Sequence, residues 1–275
     1  MSTPVVVVSL LTLGLYVYVF RLAWPGPAQS ISDPEETNKD TRAAATRWVA
    51  IVALIGHIFV ARELLFDDQS MQLSIIYVAN VVAVVMTLVV ALVSLRLPIV
   101  RLFLLVIPVA FLTLFLGLFA KPGTATASVS NTPLLAHILI SLVAYSTLML
   151  AAFQSILLAV LERRLRTPGK QASQWLPPLE TMEQLLVAML WIGLALLTAS
   201  IFSGFLFLED MFAQHVSHHI VITSLSWLVY AFFLIGRYVF GWRGLTAVRW
   251  TLVAFTLLVI GYLGSKFVLE YILQR

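Results

Sequence analysis

The sequence predicts an all-α fold: a polytopic membrane helix bundle of about eight transmembrane helices, with both termini on the non-cytoplasmic side. Three observations carry this expectation. Hydrophobic residues make up 61% of the chain and charged residues only 11%, with a mean hydropathy of +0.99, too little polar side chain to cover a water-soluble globule of this length. The apolar segments run to about twenty residues, the length a helix needs to cross roughly 30 Å of hydrocarbon, where barrel strands would be about ten residues of strict alternation. Finally, Lys and Arg alternate between loops in the manner that sets membrane orientation.

Taken in order, the apolar segments cover 4–24, 48–66, 73–95, 98–120, 133–161, 182–208, 220–240 and 246–271. The first is read as a helix and not as a signal peptide, because no Lys or Arg precedes its apolar run and no small-residue cleavage site follows at the usual distance. The charged segment after it, with Pro34 among mixed charges, reads as a short solvated linker. The longer connection before the sixth segment contains Pro168-Gly169 and ends in Pro177-Pro178, followed by Glu180 and Glu183 near a helix start. Neither connection is long enough for a separate domain, so residues 1–275 form a single transmembrane domain. No strong internal repeat is visible.

Of the 17 basic residues, only Arg62, Lys121, Lys266 and Arg275 fall on one side of this arrangement. All the others, from Arg21 to Arg249, fall on the opposite side, which the positive-inside rule places in the cytoplasm. The formal net charge of +4 is thereby accounted for by topology, and no nucleic-acid partner is implied. Cysteine is absent, which excludes disulfides, thiolate metal sites and covalent haem attachment through CxxCH. No GxSxG, P-loop or GxGxxG motif supports an enzyme.

Polar residues inside membrane helices are costly, so their spacing marks the faces that meet protein or water. His137, Ser141 and Tyr145 recur at four-residue steps in the fifth helix, and His219, Thr223, Ser226, Trp227 and Tyr230 nearly do so in the seventh. His215, His218 and His219 stand where the preceding loop, with Glu209, Asp210 and Phe212, enters the seventh helix. The orientation puts His137 and this triplet on the same, non-cytoplasmic side.

One reading joins the two stripes around a pocket, with a histidine from each helix as an axial ligand to haem iron and Trp227, Phe212 and Tyr230 against a flat aromatic group. A second makes His215 and His219, with Asp210 or Glu209, a divalent-metal site. A third treats the histidines as interfacial or solvated and the hydroxyls as ties between helices. His57, alone at mid-membrane depth, is either a buried hydrogen-bonding group or a deeper ligand, while Asn80 and Gln154 read as ties. Ser200 with Gly204, and Gly261 with Gly264, read as close-packing positions, and Trp24, Trp48, Trp175 and Trp242 as interface markers.

The runs LPPLETMEQLLVAMLWIGLALLTASIFSG and SLSWLVYAFFLIGRYVFGWRGLTAVRWTLVAFTLLVIGYLGSKF resemble the cytochrome c assembly family of membrane haem-handling proteins. Within it the chain is most similar to the small, eight-helix branch of YpjD- or HemX-like inner-membrane proteins. The resemblance implies a bacterial inner-membrane location, a non-covalent haem b and a role in cytochrome c biogenesis, with haem or cytochrome c maturation proteins as partners. It also implies that His137, with Ser141, Ala144 and Tyr145, corresponds to an outer-side haem-ligating histidine of the family. His57 is similar to its mid-membrane histidine, Trp227 and Tyr230 to its helix-seven aromatics, and Gly241-Trp242-Arg243-Gly244 to its turn.

Two features depart from the family pattern. FLEDMFAQHVSHH stands where a tryptophan-rich WGxxWxWD segment is expected, and KFVLEYILQR lacks a second outer-side histidine. The expectation is therefore that His137 and His219, or one of its neighbours His215 and His218, form the ligand pair. The competing expectations are a scaffold that has lost haem and a small-solute transporter with a polar path along His57 or Asn80.

Overall fold

In the computed structural model, residues 3–24, 35–67, 70–97, 99–120, 126–128, 132–166, 178–207 and 217–261 are described, without the side chains of 35–40, 67, 126–128 and 217–219. Among the described residues eight helices form: α1 Thr3–Ala23, α2 Glu35–Leu65, α3 Ile75–Ser94, α4 Phe103–Gly117 after a 3-10 turn at Val100–Leu102, α5 Thr132–Leu165, α6 Leu179–Phe207, α7 Ser217–Phe240 and α8 Leu245–Val259. Among the described residues seven spans are long and apolar enough to cross a membrane, and α8 is a shorter apolar helix over its described length. The chain is thus an all-α polytopic bundle.

The helices pack as two closed rings of four. In the first, α1 packs on α2, α2 on α3, α3 on α4 and α4 back on α1; in the second, the same order runs α5, α6, α7, α8 and back to α5. Contact between α3 and α5 joins the rings. No repeat is legible in the sequence because hydropathy encodes membrane spans and says little about which spans pair.

The segment expected to be a solvated linker after α1 is instead helical from Glu35. Its Glu, Lys, Arg and Ala residues are strong helix formers, and acidic residues favour a helix start. Arg42 then reaches back to α1, donating to the carbonyls of Leu22 (2.9 Å), Arg21 (3.0 Å) and Trp24 (2.8 Å). Arg101 donates to the Ala23 carbonyl as well. Two guanidinium groups from neighbouring elements thereby satisfy the orphan carbonyls at the C-terminus of α1 and oppose its dipole.

At the opposite end three short strands, β1 Phe66–Asp67, β2 Ser70–Gln72 and β3 Thr126–Ser128, form an antiparallel sheet in the order β1-β2-β3. Its central strand drives the fully buried Met71 into the core. Strands of two or three residues carry no period-2 pattern, so hydropathy does not announce them.

The α7–α8 turn shows why GWRG has its residues. Gly241 and Gly244 adopt φ of 68° and 58°, a region open to glycine and strained for other residues. The Gly244 N–H donates to Glu183 Oε1 at 2.8 Å. A Cβ on Gly244 would stand 2.7 Å from Glu162 Oε2. Trp242, expected as an interface marker, stacks on Trp250 with ring centroids 5.8 Å apart, and Phe232 meets both edge-on. Gly236 leaves the space that the Trp242 ring fills. Gly236→Ala is therefore expected to destabilise the second ring of helices by about 1–3 kcal/mol, measured as a lowered midpoint of thermal unfolding followed by tryptophan fluorescence.

Candidate functional site

His57 occupies the centre of the first ring, fully buried. Gly56 beside it allows α1 to approach, since a Cβ there would overlap the Thr12 side chain. Asn80 Nδ2 donates to the Thr113 carbonyl at 2.7 Å, so Asn80 Oδ1 faces His57 and accepts from its Nε2–H at 2.7 Å. The neutral ring then accepts at Nδ1 from the Tyr16 hydroxyl, 2.8 Å away. One chain of hydrogen bonds runs from α1 through α2 and α3 to the backbone of α4. Both nitrogens of His57 are engaged in it.

His137 lies near the start of α5, at the end of the bundle away from the arginines that hold α1. The ring packs against Gly204 of α6, where a Cβ would come within 3.2 Å of its Cε1. Its Nδ1 is 2.9 Å from Ser203 Oγ. Ser203 already gives its hydroxyl proton to the Ser200 carbonyl at 2.9 Å, so it accepts from His137 Nδ1–H. By the same reasoning Ser141 donates to the His137 carbonyl at 2.7 Å and accepts from Ser200 Oγ at 2.6 Å. Ser203 thus selects the tautomer in which Nε2 carries the lone pair.

This shell was not legible as chemistry. Ser200 and Gly204 read as packing residues and Ser203 was unmarked, although Ser200, Ser203 and Gly204 share the i, i+3, i+4 spacing of one helix face.

The remaining candidates are distributed around the second ring. Tyr145 donates to the Leu258 carbonyl of α8 at 2.6 Å, and Trp227 Nε1–H to Thr198 Oγ1 of α6 at 2.8 Å. Ser226 donates to the Ala254 carbonyl at 2.7 Å. Tyr230 is fully buried, and its hydroxyl has no hydrogen-bond partner among the described residues. The packing order puts α5 and α7 diagonally across the ring, with α6 and α8 between them. Gln154 donates to the Met182 carbonyl at 3.1 Å, tying α5 to α6.

His215, Glu209, Asp210 and Phe212 lie outside the described residues, as do the side chains of His218 and His219. Among the described residues no three histidine or carboxylate side chains gather as a metal site.

A family model described as "Cytochrome C assembly protein" matches residues 46–273. The chain belongs to the cytochrome c assembly protein family. The matched region takes in α3 to α8 whole and nearly all of the membrane-spanning part of α2, and so includes both His57 and His137. The chain is also similar to "Inner membrane protein YpjD" of Escherichia coli strain K12, 30% identical over 232 residues, covering 81% of this chain and 86% of that protein. It is 29% identical over 140 residues to "Uncharacterized 28.8 kDa protein in nifR3-like 5'region" of Azospirillum brasilense, covering 50% of this chain and 52% of that protein. No solved structure matches. With its apolar spans, this member of the cytochrome c assembly family is a multi-pass protein of the inner membrane.

Proposed function

We propose that this member of the cytochrome c assembly family binds or passes haem b at the end of the second helix ring where α5 begins, with His137 as one axial ligand. The single observation that carries the reading is the hydrogen bond from His137 Nδ1–H to Ser203. Imidazoles that ligate metals characteristically donate their other N–H to a fixed acceptor, which sets the tautomer and raises ligand basicity. The α6 serines and Gly204 supply that setting for His137. When bound, the haem supplies an iron with axial positions that neutral imidazole fits.

The second ligand in this reading is His219, His218 or His215, at the start of α7. Trp227, Tyr230 and Tyr145 act around the site by fixing α6, α7 and α8 relative to His137. The arginine-rich end faces the cytoplasm, which puts His137 on the outer side, where cytochrome c maturation proteins would meet it. His57 acts as a structural tie, since its nitrogens are spent on Tyr16 and Asn80.

Hemin titration of the purified protein tests the reading. Wild type is expected to take up one equivalent, with affinity lowered at least tenfold in His137→Ala and about tenfold in Ser203→Ala, the range typical of outer-shell partners of metal ligands. Unchanged uptake by His137→Ala would overturn it. Absence of uptake by wild type would leave the scaffold reading.

A further inference from the structure

A groove of about 230 Å³ opens between α5 and α8, lined by Ile156, Ala159, Val160, Arg163, Val248 and Leu252. The α5 residues recur at i, i+3, i+4 and i+7, and the α8 pair at i, i+4, so each helix contributes one stripe. Val248 is buried at 5% exposure and forms the floor, while Ile156 and Val160 stay 39% and 40% exposed along the rim. Arg163 is the one polar residue in this lining. It stands near the C-terminal end of α5 beside the exposed Arg164 in sequence, and the exposed Arg243 and Arg249 flank the start of α8, while Arg166 is paired with Glu162 at 2.6 Å.

Depth decides what such a groove meets. From the midpoint of α5, at 1.5 Å per residue, Ile156 lies about 11 Å away and Arg163 about 22 Å away. Hydrocarbon extends about 15 Å from the bilayer centre and the headgroup region to about 20–22 Å. With the α5 midpoint at the bilayer centre, Ile156 lies at acyl-chain depth, Ala159 and Val160, about 16–17 Å out, at the edge of the hydrocarbon, and Arg163 at phosphate depth. From Ile156 to Arg163 the groove is about 10 Å long, too short to seat the face of a partner helix but long enough for part of an acyl chain.

We propose that this groove is a binding site for an anionic phospholipid, one acyl chain lying along Ile156, Val160, Val248 and Leu252 and the phosphate meeting Arg163. A guanidinium pairs with phosphate through charge-assisted hydrogen bonds. The arginines around the groove favour a headgroup with net negative charge over a zwitterionic one, whose own cation they repel. The site lies outside the His137 shell and does not depend on haem.

Native mass spectrometry of the full chain in detergent, titrated with phosphatidylglycerol or phosphatidylcholine of identical acyl chains, tests the proposal. Wild type is expected to hold the first phosphatidylglycerol at least fivefold more tightly than phosphatidylcholine. Arg163→Gln, an exposed substitution that leaves the core intact, is expected to remove that preference. Ala159→Phe, which fills the groove, is expected to weaken both lipids severalfold, and glycerol 3-phosphate is expected not to compete. Equal affinity of wild type for the two lipids would overturn the proposal, as would a preference that survives Arg163→Gln.

Discussion

Asn80→Leu is expected to destabilise the protein by about 2–4 kcal/mol, although leucine matches asparagine in length and suits a membrane helix. Asn80 is the hub of the first ring: its oxygen holds His57 Nε2–H and its amide holds the Thr113 carbonyl. Leucine strips both partners of their hydrogen bond at a site sealed from solvent, each loss costing about 1–3 kcal/mol in a dry interior. Bonds between membrane helices are individually weaker, about 0.6–1.7 kcal/mol, because the unfolded chain finds other partners. The expected loss is therefore smaller than the full sum of the two bonds. Gly117 adds to the effect, since α4 approaches so closely that a Cβ there would stand 3.0 Å from Asn80 Nδ2, leaving little room for branched methyl groups. Equilibrium unfolding in mixed detergent micelles measures the change. The double variant His57→Leu with Asn80→Leu is expected to lose less than the sum of the single losses, because it removes donor and acceptor together.

Glu183→Ala is expected to cost about 3 kcal/mol and to loosen the α7–α8 turn. Glu183 Oε1 accepts the Gly244 N–H, and Oε2 lies 3.7 Å from Arg237, with side-chain exposures of 11% and 18% for the pair. Removing one member of a largely buried ion pair leaves the other charge uncompensated, which typically costs about 3–5 kcal/mol. Arg237 keeps its bond to the Trp242 carbonyl at 3.2 Å, which moderates the loss. Glu183→Gln keeps an acceptor for Gly244 and is expected to cost less than half as much. Thermal unfolding reports the magnitudes, and faster amide exchange at residues 241–246 locates the effect.

The membrane spans, their order and the family were legible in the sequence because they rest on long apolar runs and on motifs such as GWRG that persist within one stretch of chain. The concentration of Arg residues at one end was legible too, and it coincides with the end where Arg42 and Arg101 hold α1. The pairing of helices into two rings was not, since it depends on contacts between segments that look alike in hydropathy. The charged start of α2 read as linker because its polarity masked strong helix propensity. Ser203 was missed for a different reason: a serine beside a glycine in a membrane helix looks like a packing position until the helix it faces is known to carry His137. The α5 stripe finds its hydrogen-bond partners on α6 and α8, and in α7 Ser226 and Trp227 reach α8 and α6 while the Thr223 and Tyr230 hydroxyls have no partner among the described residues; spacing within a helix cannot specify such partners.

In the proposed function His137 of the second ring meets haem iron. The absorption spectrum of wild-type protein purified from haem-supplied cells tests it most directly. A Soret band that is lost in His137→Ala and retained in Asn80→Leu protein that still folds is the expected result. Colourless wild-type protein that takes up no added hemin would contradict it.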